Sequence, residues 1–284
     1  MHVKITTDSP ADLPKEICHT YGFRTVPLHV ILGDNCFDDG IDVTTDDIYN
    51  FYSENKILPK TSAVSVSEYS AFFEKMTENG DQVVHFSLSS GISSSYQNAI
   101  IAAQDFENVY VVDTKSLSTG IVLAMLKAYK MSAGGMSAEE IANRSLETVK
   151  NISTTFIISN LEFLHKGGRC SGLASFGANI LGIKPSIAAN TDGKLVVDKK
   201  YRGNFDSCIY RYIEDLIKTN KNRIDNDIAV IVSTDGVSRE QLLAAKKQIL
   251  KEIPFKEVIT AKAGCTITSH CGKGTFSFMF LKKQ

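Results

Sequence analysis

Short β-branched apolar runs alternate with amphipathic stretches along most of this chain, and that rhythm constrains the fold more than any other feature. VKITT, VVHFSL and NVYVVD read as strands, and stretches with helical spacing follow them at 45–55, 66–78, 94–104, 117–132 and 138–150. Strands alternating with helices predict a parallel sheet covered on both faces. TVPLHVIL reads as one further strand, with Pro27 placing it near an edge or a strand start. Ser9-Pro10 opens a helix, and Ser65 with Glu68 fits a capping box.

The pattern changes after residue 152. TTFIIS is a strand, LEFLHKGGR a short helix, and residues 173–182 are helical. IKPSIAA and KLVVDKKY flank Asn190-Thr191-Asp192-Gly193, a hairpin turn in which Gly193 can take positive φ. Helices at 204–219 and 238–252 and the strands DIAVIVS, FKEVITAKA and TFSFMFLK complete the chain. The expected fold is two α/β domains, 1–152 with a mostly parallel sheet and 153–284 with a mixed one. A length of 284 residues suits two domains of ordinary size.

Formal net charge is −1, which gives no electrostatic footprint for nucleic acid. The first residues, MHVKITTDS, read as a strand, and no window approaches the roughly 18 apolar residues of a membrane span. The expectation is a cytoplasmic protein without an integral membrane segment, leaving room for transient contact with a membrane surface. The six cysteines show no CxxC pair and are expected to be reduced. Cys265, His270 and Cys271 lie close together, but no second ligand pair stands at zinc-like spacing, so no metal site is assigned.

In open parallel sheets, ligands bind beyond the carboxyl ends of the strands. Four approaches to helices there are rich in hydroxyls: Thr6–Ser9, Thr61–Ser65, Ser87–Ser95 with six serines in nine residues, and Thr114–Thr119. Helix N-termini and hydroxyls together favour an anion, and Gly91 would let a ligand approach the backbone. Plain helix capping is the competing reading. Neither GxxxxGK[ST] nor GxGxxG is present, and Gly91-Ile92-Ser93 lacks the rest of a nucleophile elbow. Those residues leave open a small-anion binder and a serine-dependent lipid hydrolase using Ser93 and His270.

Taken in order, longer stretches become specific. ITTDSPADLP, Val26-Pro27-Leu28, Lys60–Ser65, Leu88–Ala99, Val112-Asp113-Thr114, Lys166-Gly167-Gly168-Arg169, Ile183-Lys184-Pro185, Lys200-Tyr201-Arg202-Gly203 and Ser269–Gly274 together resemble the DegV family from end to end. That family includes the acyl-carrier (FakB-type) subunits of bacterial fatty acid kinase. The departures are Ala63-Val64 for Gln-Pro, Ser94-Ser95 for Gly-Thr, and Lys273 for a proline.

The resemblance implies a non-catalytic carrier without a cofactor. It would bind a long-chain fatty acid in an apolar tunnel and present the carboxyl group to a separate ATP-dependent fatty acid kinase. The acyl phosphate formed would serve phospholipid synthesis. Thr61 and Ser93, with Ser62 and His270, would hold the carboxyl group. Arg169 and Arg202 would lie near the mouth, where they could orient the headgroup or dock the kinase. Asp8 and Asp113 are expected to hold loops, His165 and Lys166 to end a helix. Phe156, Ile157, Ile158, Phe276, Phe278, Met279 and Phe280 are expected in the core.

Overall fold

The computed structural model describes residues 2–171 and 182–283. The first part forms a parallel sheet from β1 (Val3–Asp8), β2 (Arg24–Val26), β6 (Gln82–Ser87) and β7 (Val109–Asp113), in the order β2-β1-β6-β7. A small antiparallel sheet beside it joins β3 (His29–Leu32) to β4 (Asn35–Asp38) and β5 (Lys60–Ser62). The first-half helices are α1 (Lys15–Tyr21), α2 (Thr45–Asn55), α3 (Val66–Thr77), α4 (Ser95–Ala103), α5 (Thr119–Ala133) and α6 (Ala138–Lys150). Capping boxes start α2, α3 and α6, at Thr44, Ser65 and Ser137.

A mixed sheet of seven strands follows, in the order β13-β12-β14-β8-β10-β11-β9. Its members are β8 (Thr155–Ile158), β9 (Cys170–Ser171), β10 (Ile183–Ala189), β11 (Leu195–Arg202), β12 (Ile224–Ser233), β13 (Glu257–Lys262) and β14 (Thr275–Lys282). Its helices are α7 (Glu162–Gly167), α8 (Phe205–Asn220), α9 (Arg239–Glu252) and α10 (Cys265–Cys271). The architecture is mixed α/β, with a parallel N-terminal sheet and a mixed C-terminal one.

Period-2 alternation assigns the two faces of the large sheet. Ile157, Phe276, Phe278 and Phe280 pack with α8 and α9, while Phe156, Ile158 and Met279 turn the other way. That second face meets α5, which also packs on β1 and β6. Residues 119–126 of α5 are buried without a break, as suits a helix between two sheets. One apolar cluster therefore runs from the first sheet through α5 to the second.

Two expectations need correction, and one helix was not foreseen. TVPLHVIL is not one strand: the chain breaks at Pro27, where a missing N–H stops the ladder, and β2 and β3 join different sheets. Ser9-Pro10 opens only the short 3-10 turn Ser9–Ala11. Residues 265–271 form a helix where no helical spacing was legible. Of the helix expected at 173–182, residues 173–181 lie outside the described residues and Gly182 lies in a turn.

Candidate functional site

Two of the four hydroxyl-rich approaches bring hydroxyls to one cavity, and a third reaches it through Leu117. Thr61 and Ser62 stand on the edge strand β5, where Thr61 pairs with Val30 of β3. Asn98 Nδ2 of α4 donates to Val64 O at 2.7 Å, drawing the β5–α3 link against the Ser93–Ser95 turn. His270 arrives from the far end of the chain on α10, and its Nε2 lies 2.8 Å from Thr61 Oγ1. Thr61, Ser62, Ser93, His270 and Arg169 together line one cavity of about 100 Å3, whose remaining wall is mostly apolar.

Outside it, Ser93, Arg169, Lys194 and the backbone at Gly91 border an open basin of about 600 Å3. Inside it, Leu117, Phe156, Ile267 and Cys271 are shared with a second cavity of about 20 Å3 that extends to Val232 and Met279. The hydroxyls near that inner cavity have partners elsewhere. Ser277 donates to Thr155 O at 2.6 Å, and Thr275 N–H donates to Thr234 Oγ1 at 2.9 Å. The surface facing the inner cavity is apolar throughout. Phe156 and Met279, expected in the core, therefore also line the path inward.

At this end of the cavity the Thr61, Ser62, Ser93 and His270 cluster is uncharged, and Arg169 is the cation on the lining. Burial lowers the His270 imidazole to about 4, and the nearby positive charge of Arg169 adds to the effect. At neutral pH His270 is neutral, with one ring N–H to donate. Its Nδ1 is buried without a hydrogen-bond partner among the described residues, beside Gly167, where a Cβ would come within 2.8 Å. Burial pushes the Cys271 thiol up to about 12, so it is a thiol and not a thiolate.

The remaining approaches hold the loops. Burial pushes the Asp8 carboxyl up, but His85 and the hydrogen bonds from His85, Tyr69 and Leu88 outweigh it and keep it below its usual range. Asp8 Oδ2 accepts from Leu88 N–H at 2.7 Å and from Ser87 at 3.0 Å, which fixes the start of the serine-rich loop. Asp113 Oδ1 accepts from Ser90 N–H at 3.1 Å. Gly91 also serves the packing of the hairpin. A Cβ there would sit 2.6 Å from Gly193 O, so the hairpin turn at 190–193 comes close against its backbone. Gly193 answers it with φ 75°, and a Cβ there would strike Ser89 Oγ.

Arg169 stands at the rim, with Nη1 donating to Gly167 O at 2.8 Å. Arg202 does not join it. Leu195 begins β11 at the cavity wall, and Arg202 ends that strand seven residues on, roughly 23 Å away at strand rise. Arg202 lines neither the cavity nor the basin. His165 and Lys166 lie in the last turn of α7, where Lys166 pairs with Glu162 at 2.9 Å.

Chemically, the arrangement offers hydroxyl and imidazole donors to an oxygen-bearing anion at the head of an apolar path. Among the described residues it does not pair Ser93 with His270. Ser93 Oγ lies 2.9 Å from Ser95 Oγ, while the Nε2 of His270 is engaged by Thr61. Sequence reasoning missed α10 and the inner wall. The glycines at 264 and 272, which bound α10, were the available signal.

Several proteins similar to this chain are described as fatty-acid-binding. A fatty acid-binding protein of Thermotoga maritima is 31% identical, with 98% of this chain and 97% of that one covered. A solved structure described as fatty acid binding of a DegV family protein from Thermus thermophilus superposes with a TM-score of 0.89 at 26% identity, covering 99% of this chain and 100% of that one. A stearic acid-binding protein from Eubacterium ventriosum gives a TM-score of 0.85 at 27% identity, covering 100% and 99%. The DegV family model matches residues 2–283, and this chain belongs to the DegV family.

Proposed function

We propose that this protein binds a long-chain fatty acid and carries it without catalysing a reaction of its own. Thr61, Ser62, Ser93 and His270 hold the carboxyl group, and the tail enters past Leu117, Phe156, Ile267 and Cys271. The observation that carries this reading is the uncharged hydroxyl and imidazole cluster at the head of an apolar path. Fifteen methylenes at about 0.8 kcal/mol each give roughly 12 kcal/mol gross, so the headgroup needs only a few donors. An apolar cavity of about 150 Å3 holds one benzene ring. The path is narrower than a long acyl chain needs, so binding parts the four side chains at its constriction.

The finer reading is that a separate ATP-dependent kinase phosphorylates the bound carboxyl group and the protein carries the acyl phosphate away. Neutral donors support it, because they accept a carboxylate and an acyl phosphate alike. Arg169 at the rim supplies planar donors where added negative charge would develop. Arg202, standing off the cavity on an exposed strand end, suits contact with that partner.

Native mass spectrometry of freshly purified protein tests the first reading. A fatty-acid mass released on denaturation is expected, with no turnover of ATP or of an ester probe by the protein alone. Saturable ester turnover that Ser93→Ala abolishes would replace the carrier reading with the hydrolase one.

A further inference from the structure

His270 rides on a helix of seven residues. Helix nucleation costs more than so few internal bonds return, so α10 cannot hold itself. Its first amides show what holds it. Gly264 N–H donates to Asp12 Oδ1 at 2.7 Å, and Cys265 N–H donates to Asp39 Oδ1 at 2.9 Å. The other carboxyl oxygens are held in turn, Asp12 Oδ2 by the Ser118 hydroxyl and Asp39 Oδ2 by the Ser9 hydroxyl at 2.8 Å. Both aspartates are buried. They come from the turn after β1 and from the residue that follows β4, so the N-terminal half grips a helix made 250 residues later in the chain.

This grip is costly. Carboxyl groups taken out of water in close company resist sharing a negative charge. Burial pushes Asp12 up to about 8, with the charge of Asp39 adding to it, so Asp12 keeps its proton at neutral pH. The titratable groups facing the pair from α10 are Cys265 and Cys271, both pushed up to about 12 and hence neutral thiols. The backbone bears a cost too. Asp12 at φ 50° and Ser118 at φ 53° stand in a region that residues with a side chain rarely adopt. Any side chain at Gly264 would meet Asp12 Oδ1 at 3.1 Å and Asp39 Oδ1 at 3.5 Å. Strain of this kind persists only where the surroundings over-determine it. Here those surroundings are the site itself, since Ser118 borders the inner cavity and α10 lines the outer one through Thr266, Ile267 and His270.

We propose that Asp12 and Asp39 are positioning residues of the ligand site, holding the N-terminus of α10 so that His270 is set against Thr61. The proposal rests on the fatty-acid reading above. The aspartates line no part of the cavity and act through α10, which carries His270 to the carboxyl group and Ile267 and Cys271 to the tail. Their loss should therefore be felt by the carboxyl group through His270, and by the tail only as far as Ile267 and Cys271 move with the helix.

A double-mutant cycle on the full chain tests this, titrating palmitate and hexadecanol, which share a chain length. Asp12→Ala should weaken palmitate by about tenfold and hexadecanol by about threefold at most. Asp12→Asn keeps an oxygen for Gly264 and a donor for Ser118, and should bind palmitate like the wild type. Asp12→Ala added to His270→Ala should cost palmitate no more than the small loss that hexadecanol shows. Equal losses for both ligands, a full additional loss in the His270→Ala background, or an Asp12→Ala protein that binds palmitate normally would each overturn the proposal. Should Asp12→Ala not fold, Asp39→Ala is read in the same way, because it leaves Asp12 in place. A wild-type protein that binds neither ligand would instead overturn the fatty-acid reading, and this proposal with it.

Discussion

Thr61 Oγ1 and His270 Nε2 lie 2.8 Å apart although 209 residues separate them in the chain. The contact joins an edge strand of the small N-terminal sheet to the last turn of α10 and brings two distant segments to one cavity.

Removing the hydroxyls should remove the headgroup contribution and leave the fold alone. Hydrogen bonds to a charged group contribute roughly 1.5–3 kcal/mol each. Thr61→Ala with Ser93→Ala is expected to weaken fatty-acid binding by about 100-fold or more, with the melting temperature close to wild type. A fluorescent fatty-acid titration measures it, and wild-type affinity in the double variant would place the headgroup elsewhere.

The low imidazole value carries a pH signature. Because His270 is held near 4 when folded and titrates near 6.5 when unfolded, the unfolded chain binds more protons between those values. Stability should therefore fall as pH drops from about 6.5 to 4, and His270→Gln should flatten that part of the curve. A carboxylate bound beside the ring favours its charged form, so ligand should raise the His270 value. NMR titration of the imidazole with and without palmitate reads this directly. An unmoved value would separate the carboxyl group from His270.

The constriction should select by length. Cys271 borders both cavities. Cys271→Leu adds bulk there and is expected to weaken palmitate at least about tenfold, the worth of about two methylenes. Octanoate, with less tail to thread, should change by less than about threefold. Parallel titrations decide it, and equal losses for both acids would mean that the tail takes another route.

Arg202 separates binding from handover. Arg202→Ala should leave fatty-acid affinity within about twofold while lowering acyl-phosphate formation by a cognate kinase about tenfold, the loss of one charge-assisted contact. Arg169→Ala, at the rim, should lower both. Titration and a coupled kinase assay on the same preparations measure the two quantities. Equal losses in Arg202→Ala, or none, would end its partner-facing role.

The sequence showed its sheets wherever one period ruled a stretch. VVHFSL, NVYVVD and DIAVIVS alternate or run apolar because neighbours bury them, and Asn190–Gly193 announces its own turn. It hid α10, because Cys-Thr-Ile-Thr-Ser-His-Cys has the β-branched look of a strand and becomes helical only under two carboxyl groups from remote loops. Thr61, Ser62, Ser93 and His270 were legible as candidates from hydroxyl-rich approaches and family motifs. Their meeting was not, since it depends on the Asn98 tie and on α10. The place of Arg202 was not legible for a related reason: its glycine-flanked motif marks a strand end, and only the strand direction shows how far that end lies from the cavity.

The Asp12–Gly264 tie also sets a timetable. Contacts between segments so far apart in sequence close only after the chain entropy between them has been surrendered, which makes them late events in folding. A growing chain has no α10 until some 270 residues have been joined, so the Thr61–His270 contact cannot form before then. On the proposed reading, a bound fatty acid would then favour the folded chain over the unfolded one by mass action.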